Sequence, residues 1–189
     1  MIERDYKIFS DMPTLKTDRL TLRRITKKDL YDVFEYSSLG EVSEYLLWSP
    51  HENIGITKAY LANLSRKYKQ GKIYDFGIEY QGKIIGAVGF SKLDANNNYG
   101  EIGYVLSSKY WGLGLGYEAA KKILDFGFND LRLMRIEARY MVENEKSRRL
   151  ASKLGMKKEG ILRKAIFTKG NYRDIEIVSI LSDENFSTK

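Results

Sequence analysis

The chain contains no cysteine and one histidine, His51. Disulfides, thiolate metal sites and a cysteine nucleophile are excluded, and so is a metal centre built on several histidines. A serine–histidine triad would have to use His51, which follows Ser49-Pro50 in an expected loop and reads as an ordinary surface residue. Covalent catalysis is therefore disfavoured against direct transfer within a ternary complex. Proline is nearly missing as well, with Pro13 and Pro50 alone. No linker, repeat or low-complexity tract interrupts the chain, so one domain is expected over residues 1–189. No apolar run approaches the roughly 20 residues that span a bilayer. The first residues lack the apolar stretch of a secretory signal, so a cytoplasmic protein with no membrane partner is expected.

What is present suits a globular domain. The 189 residues are 43% hydrophobic and 30% charged, enough to bury a sizeable core. A net charge of +7 favours polyanionic partners: nucleotide-like cofactors, RNA or an acidic protein surface. Much of that charge falls late, from Lys146 and Arg148 to Lys169 and Arg173, where a solvated basic face is the competing explanation. No nucleic-acid-binding signature accompanies it, and a DNA partner is not expected.

Hydrophobic periodicity gives a coarse order of elements. Arg19–Arg24 alternates as a strand. Thr26, with Asp29 at the reciprocal position, caps a helix to about Ser38 whose face carries Leu30, Val33 and Phe34. Val42–Trp48 is ambiguous and partly helical, and Thr57–Tyr68 has helical spacing ending near Gly71. Ile73–Tyr80 and Lys83–Lys92 flank the hairpin signal Gln81-Gly82. Tyr99–Leu106 is a strand, Gly116–Phe128 a helix, Met134–Met141 a strand, and Lys146–Leu154 a helix started near Asn144. Ile161–Thr168 and Tyr172–Leu181 form a last hairpin. The hairpins imply antiparallel pairing, and the strand–helix–strand unit from Tyr99 to Met141 implies one parallel pair by crossover.

Within that unit lies the most informative segment, Lys-Tyr-Trp-Gly-Leu-Gly-Leu-Gly-Tyr-Glu at 109–118. Gly112, Gly114 and Gly116 end a strand and open a helix. A helix N-terminus carries unpaired amides and the positive end of the dipole, which together suit phosphate. Glycine lets the backbone approach closely and reach positive φ. A tight turn without a ligand would look the same. The dinucleotide pattern fails because Tyr117 stands where its third glycine belongs, and no Gly-Lys-Ser/Thr of a P-loop is present.

Taken with the order of elements, Glu101-Ile-Gly-Tyr and Tyr110-Trp-Gly-Leu-Gly-Leu-Gly-Tyr-Glu-Ala resemble the GNAT N-acetyltransferases, more closely their ribosomal-protein alanine N-acetyltransferase branch. Leu15-Lys-Thr-Asp-Arg-Leu-Thr-Leu-Arg, Ile84-Ile-Gly-Ala-Val-Gly, Arg135-Ile-Glu-Ala-Arg, Asn144-Glu-Lys-Ser-Arg-Arg-Leu, Leu154-Gly-Met-Lys-Lys-Glu-Gly and Gly170-Asn-Tyr-Arg-Asp extend the likeness from about Leu15 to Leu181. The resemblance implies an α/β (α+β) fold: a mixed, mostly antiparallel twisted sheet of about seven strands, helices on both faces. It also implies a V-shaped splay between the fourth and fifth strands, Tyr99–Leu106 and Met134–Met141, with the former bulged. The implied donor is acetyl-CoA. Its diphosphate would lie on Trp111, Gly112, Leu113, Gly114, Leu115 and Gly116, where Trp111 replaces the family's glutamine or arginine. Its pantetheine arm would pair with backbone of Tyr104, Val105 and Leu106 and meet Asn144.

Acetyl transfer to an amine needs a neutral amine, a stabilised oxyanion and a proton for the leaving thiolate. An α-amine has a pKa of about 7.7–8.0, against about 10.4 for a lysine side chain, so its deprotonation asks less of a base. Glu101 is the first candidate for that base, acting through water, and Glu137 the second. A backbone amide near Val105 or Leu106 is the candidate oxyanion donor. Many relatives carry a tyrosine acid where this chain has Ala151, so Ser147 becomes the candidate proton donor, its competing role being a first-turn helix residue. Arg148 and Arg149 could reach cofactor phosphates, and Trp48 the acceptor. The acceptor implied is the N-terminal amine of a protein such as a ribosomal component. A small amine (polyamine, amino acid or aminoglycoside) is the alternative, for which Asp32, Glu35, Glu41 and Glu44 could supply an acidic pocket. A non-catalytic basic module on the ribosome or RNA is the other. A homodimer stays open.

Overall fold

The computed structural model describes residues 12–70 and 74–185; the expected strand start at Ile73 and helix end near Gly71 lie outside them. Leu15–Lys16 (β1) and Leu20–Arg23 (β2) lead to Leu30–Ser37 (α1), Gly40–Ser43 (α2) and Ile54–Lys69 (α3). Tyr74–Tyr80 (β3), Lys83–Asp94 (β4) and Tyr99–Leu106 (β5) precede Leu115–Asn129 (α4), and Arg135–Met141 (β6) precedes Glu145–Lys153 (α5). Lys157–Thr168 (β7), Asn171–Leu181 (β8) and Ser182–Asn185 (α6) complete the described chain. The eight strands form one sheet in the order β1-β2-β3-β4-β5-β6-β8-β7. Every described pairing is antiparallel except that of β5 with β6. The expected mixed sheet is thus present, enlarged by the two-residue β1.

Local signals act where the sequence places them. Thr26 and Asp29 form the reciprocal cap: the Thr26 amide donates to Asp29 Oδ2 at 2.7 Å and the Lys28 amide to the Thr26 hydroxyl at 3.3 Å. Gln81 (φ 51°) and Gly82 (φ 77°) both take positive φ, the turn that matches the twist of a two-residue hairpin. Lys169 (φ 48°) and Gly170 (φ 78°) repeat it.

Ile84–Phe90 of β4 is buried throughout, which requires cover on both faces of the sheet. Adjacent residues of β3 show the two layers, because neighbours in a strand face opposite ways. Phe76 meets Phe126 of α4 edge-on, with ring centroids 6.0 Å apart. A Cβ on Gly77 would strike Ile25 and Ile84, and the Ile84 amide donates to Asp32 of α1 at 2.9 Å. Two expectations change. The bulge expected in Tyr99–Leu106 is displaced to its neighbour: β5 pairs residue by residue, and the register shifts between Phe90 and Lys92 of β4. The last hairpin begins earlier than Ile161, because Lys157–Gly160 pairs with β8 although polar residues there hide the alternation.

β5 and β6 pair only from Tyr99/Arg135 to Ile102/Ala138. Both strands continue, to Leu106 and Met141, so the sheet opens beyond Ile102 and leaves an edge of β5 free. This is the expected splay, and α4 and α5 start from its rim.

Candidate active site

A cleft of about 500 Å³ occupies the opening. Its walls are the end of β5 (Tyr104, Val105, Leu106), the glycine turn (Trp111, Gly112, Gly114, Gly116), the first turns of α5 (Asn144, Lys146, Ser147, Arg149) and α2 with its following turn (Glu41, Val42, Tyr45). Most residues singled out from the sequence therefore converge. Leu113 and Leu115 do not line it with side chains: Leu113 is 53% exposed and Leu115 fully buried in the core.

The turn is built to present backbone. Gly112 and Gly114 have φ of 82° and 78°, and Gly114 caps α4 with no side-chain hydrogen bond. The first amides of the 15-residue α4 therefore receive no side-chain cap from Gly114. Trp111 donates its indole N–H to the Leu106 carbonyl at 2.9 Å, and Lys146 Nζ sits 3.6 Å from the centroid of its ring. Lys153 lies 4.6 Å from the Tyr117 ring centroid. Trp111 thus replaces a polar side chain with a bracket that ties the turn to β5 and to α5.

The free edge of β5 has a definite polarity. The Ser107 amide donates to Ile85 of β4 at 2.8 Å, whereas Leu106 gives its carbonyl to Trp111. Strand residues alternate the side to which their backbone groups point. Leu106 and Tyr104 thus turn their amides toward the opening. Burial pushes the Tyr104 phenol up, so it keeps its proton, and the adjacent Ser147 hydroxyl only partly offsets that. Ser147 is itself buried, and its amide donates to the Asn144 side chain at 3.1 Å. Asn144 therefore caps α5 while also lining the cleft.

The carboxylates are divided. Glu101 is outside the cleft lining: Oε1 accepts from the Ser91 hydroxyl at 2.9 Å and Oε2 pairs with Arg139 Nε at 3.2 Å. Glu137 lies beside it in register. Burial opposes ionisation of Glu137, but hydrogen bonds from Arg135, Tyr99 and Arg139 outweigh it and hold the carboxyl below its usual range. Of the four acids considered for a cationic acceptor, Asp32 accepts from the Ile84 amide and Glu35 bonds Lys83 and Lys109. Glu44 is exposed and Glu41 alone faces the cleft, where its Oε1 accepts from Ser108 at 2.9 Å.

Other side chains depart from expectation. His51 is half-buried between Trp48 and Tyr60 (ring centroids 5.6 and 6.1 Å), bonds the buried Thr57 hydroxyl at 2.9 Å, and is not a plain surface residue. Arg148 is spent on Glu145, Glu176 and the Val142 carbonyl. Arg149 lines the cleft. Lys146, Lys153 and Tyr117 were not singled out as site residues. The signal for the two lysines was their spacing on α5, where Lys146, Arg149 and Lys153 follow at i, i+3 and i+7 and so share one helical face.

Residues 19–157 match the family described as an acetyltransferase (GNAT) domain. The chain is 35% identical to the uncharacterised N-acetyltransferase p20 of Bacillus licheniformis, over 92% of this chain and 98% of that one. It is 27% identical to the [ribosomal protein uS5]-alanine N-acetyltransferase of Escherichia coli (90% and 91% covered). It is 30% identical to that organism's spermidine N(1)-acetyltransferase (81% of each). A solved GNAT-family acetyltransferase from Bacillus anthracis superposes with a TM-score of 0.80 at 29% identity, covering 91% of this chain and all of that one.

Proposed function

The chain belongs to the GNAT acetyltransferases, and on that premise we propose that it acetylates the α-amine at the N-terminus of a protein by direct transfer. The enzyme is an acetyl-CoA-dependent N-acetyltransferase, which sets aside the non-catalytic module. The donor brings an acetyl group activated as a thioester.

The residues present fit such a donor. Its diphosphate finds the amides of Gly112–Gly116 at an uncapped helix N-terminus, with Arg149, Lys146 and Lys153 close by. The backbone of Tyr104 and Leu106 offers the pantetheine arm an open strand edge, with Asn144 opposite. Leu106 is the stronger of the two oxyanion donors named, because its amide faces the opening. Glu101 acts as base through water, with Arg139 and Ser91 holding its carboxylate in place. Glu137 is the poorer base because its neighbours favour its charged form. Ser147 returns a proton to the departing sulfur at its hydroxyl; Ala151, where many relatives carry tyrosine, is buried and offers none.

The observation that supports an α-amine acceptor is the fate of the acidic residues. A polycation needs converging carboxylates, yet among the described residues Glu41 is the one acid on a cleft that also carries Lys146, Arg149 and Lys153. The similarity to a spermidine acetyltransferase keeps a small polyamine as the second reading. An acceptor screen with thiol-release detection separates them. N-terminal peptides of ribosomal proteins are expected to turn over faster than spermidine or aminoglycosides; the reverse order would overturn the assignment.

A further inference from the structure

The glycine turn is held from behind. Arg19, in the bend just before β2, donates from Nη1 to the Leu113 carbonyl at 3.0 Å. The same guanidinium grips Glu118 in the first turn of α4, with Nε and Nη2 both 2.7 Å from Oε2. The other oxygen, Oε1, accepts the Arg19 amide at 3.0 Å and the Thr17 hydroxyl. Arg19 lines a second hollow of about 470 Å³ that shares Gly114, Tyr117 and Lys153 with the cleft but is otherwise lined by other residues, so Arg19 meets the glycine turn from the side away from the cleft.

We propose that Arg19 is a positioning residue for the donor's diphosphate: by holding the Leu113 carbonyl, it aims the Gly114 amide into the cleft. The inference rests on the reading that residues 112–116 bind that diphosphate. A trans peptide is planar, with its C=O and N–H pointing in opposite directions, and no described peptide is cis. Pulling the Leu113 oxygen toward Arg19 therefore turns the Gly114 N–H the other way. Gly114 can follow because it sits at φ 78°, and a Cβ there would come 3.5 Å from Arg19 Nη2.

Charge supplies a second effect. Glu118 lies in the first turn of α4, where its carboxylate would compete with a bound anion for the helix dipole. Arg19 and Thr17 neutralise and turn it outward, so the amides face the cleft without a negative neighbour. Removing Arg19 frees the carbonyl and leaves Glu118 exposed to the ligand.

The test measures CoA, dephospho-CoA (no 3′-phosphate) and pantetheine (no diphosphate) as competitors of acetyl-CoA. Arg19→Ala is expected to weaken CoA and dephospho-CoA equally, by about 10- to 100-fold, the worth of an oriented hydrogen bond to a charged group. Pantetheine should be unaffected, and kcat at saturating acetyl-CoA should hold. Arg19→Lys, which keeps a cation beside Glu118 but gives up the guanidinium fork that holds the Leu113 carbonyl, should show the same ligand pattern with a smaller loss, and serves if Arg19→Ala does not fold. A loss confined to CoA would mean direct contact with the 3′-phosphate and would overturn the proposal. So would an equal loss for all three ligands, or none. Wild-type enzyme that bound CoA no better than pantetheine would instead refute the diphosphate reading of the turn.

Discussion

Gly116→Ala separates a glycine kept for folding from one kept for a ligand. Gly116 is the second residue of α4 and has no positive φ, so alanine meets no backbone strain there. The added Cβ would lie 3.6 Å from Leu106 Cδ2, an ordinary contact. Alanine within a helix is worth about 0.5–1 kcal/mol over glycine, and near the first turn the lower half applies. A chain of this size shifts by about 2–4 °C per kcal/mol, so the variant should melt about 1–2 °C higher. In the proposed binding mode, its methyl group nevertheless stands where the diphosphate would approach the backbone. Displacing one charge-assisted hydrogen bond costs about 1.5–3 kcal/mol, or roughly 10- to 150-fold in affinity. Calorimetry with CoA and a thermal melt of the apo-enzyme give both numbers from one preparation. A variant that is more stable and binds CoA as tightly as wild type would refute a diphosphate site at the turn.

Further outcomes follow from other residues. Gly114→Ala, forced to keep φ near 78°, should lose both stability and CoA affinity by about 1–2 kcal/mol, read in the same two assays. Glu101→Gln should lower kcat by about 10²- to 10⁴-fold while acetyl-CoA binding is kept; an unchanged kcat would remove it as base. Asp75, whose carboxyl burial pushes up to about 6, binds its proton more tightly folded than unfolded. Its contribution to stability is therefore full below pH ~4 and lost as pH rises through 6. Asp75→Asn should stabilise the protein at pH 7.5 by up to about 3 kcal/mol in urea titrations, with the gain gone at pH 4. His51 is shifted the other way, since burial favours its neutral form. His51→Gln should lessen the stability lost as pH falls below about 6.5, measured by the same titrations.

Much of the fold was legible because local signals agreed with it. The Thr26–Asp29 cap, the Gln81-Gly82 and Lys169-Gly170 turns and the alternation in Tyr99–Leu106 all act within a few residues. The cleft was legible for the same reason: the glycine turn and the Asn144 cap are short motifs at strand and helix ends. What stayed hidden depends on long-range pairing. Nothing near Glu101 announces Arg139 and Ser91, and nothing near Arg19 announces Leu113 and Glu118, about a hundred residues away. Lys157–Gly160 was missed because an edge strand packs against one neighbour only and needs no apolar alternation. His51 is the local exception: its partners Trp48, Thr57 and Tyr60 are near in sequence, but only the geometry of the loop leading into α3 brings their side chains around its ring.

A crystal structure with CoA tests the central claim most directly. The account predicts diphosphate oxygens within hydrogen-bond distance of backbone amides between Gly112 and Gly116, and the pantetheine arm along Tyr104–Leu106. A diphosphate bound elsewhere, with the turn left bare, would contradict it.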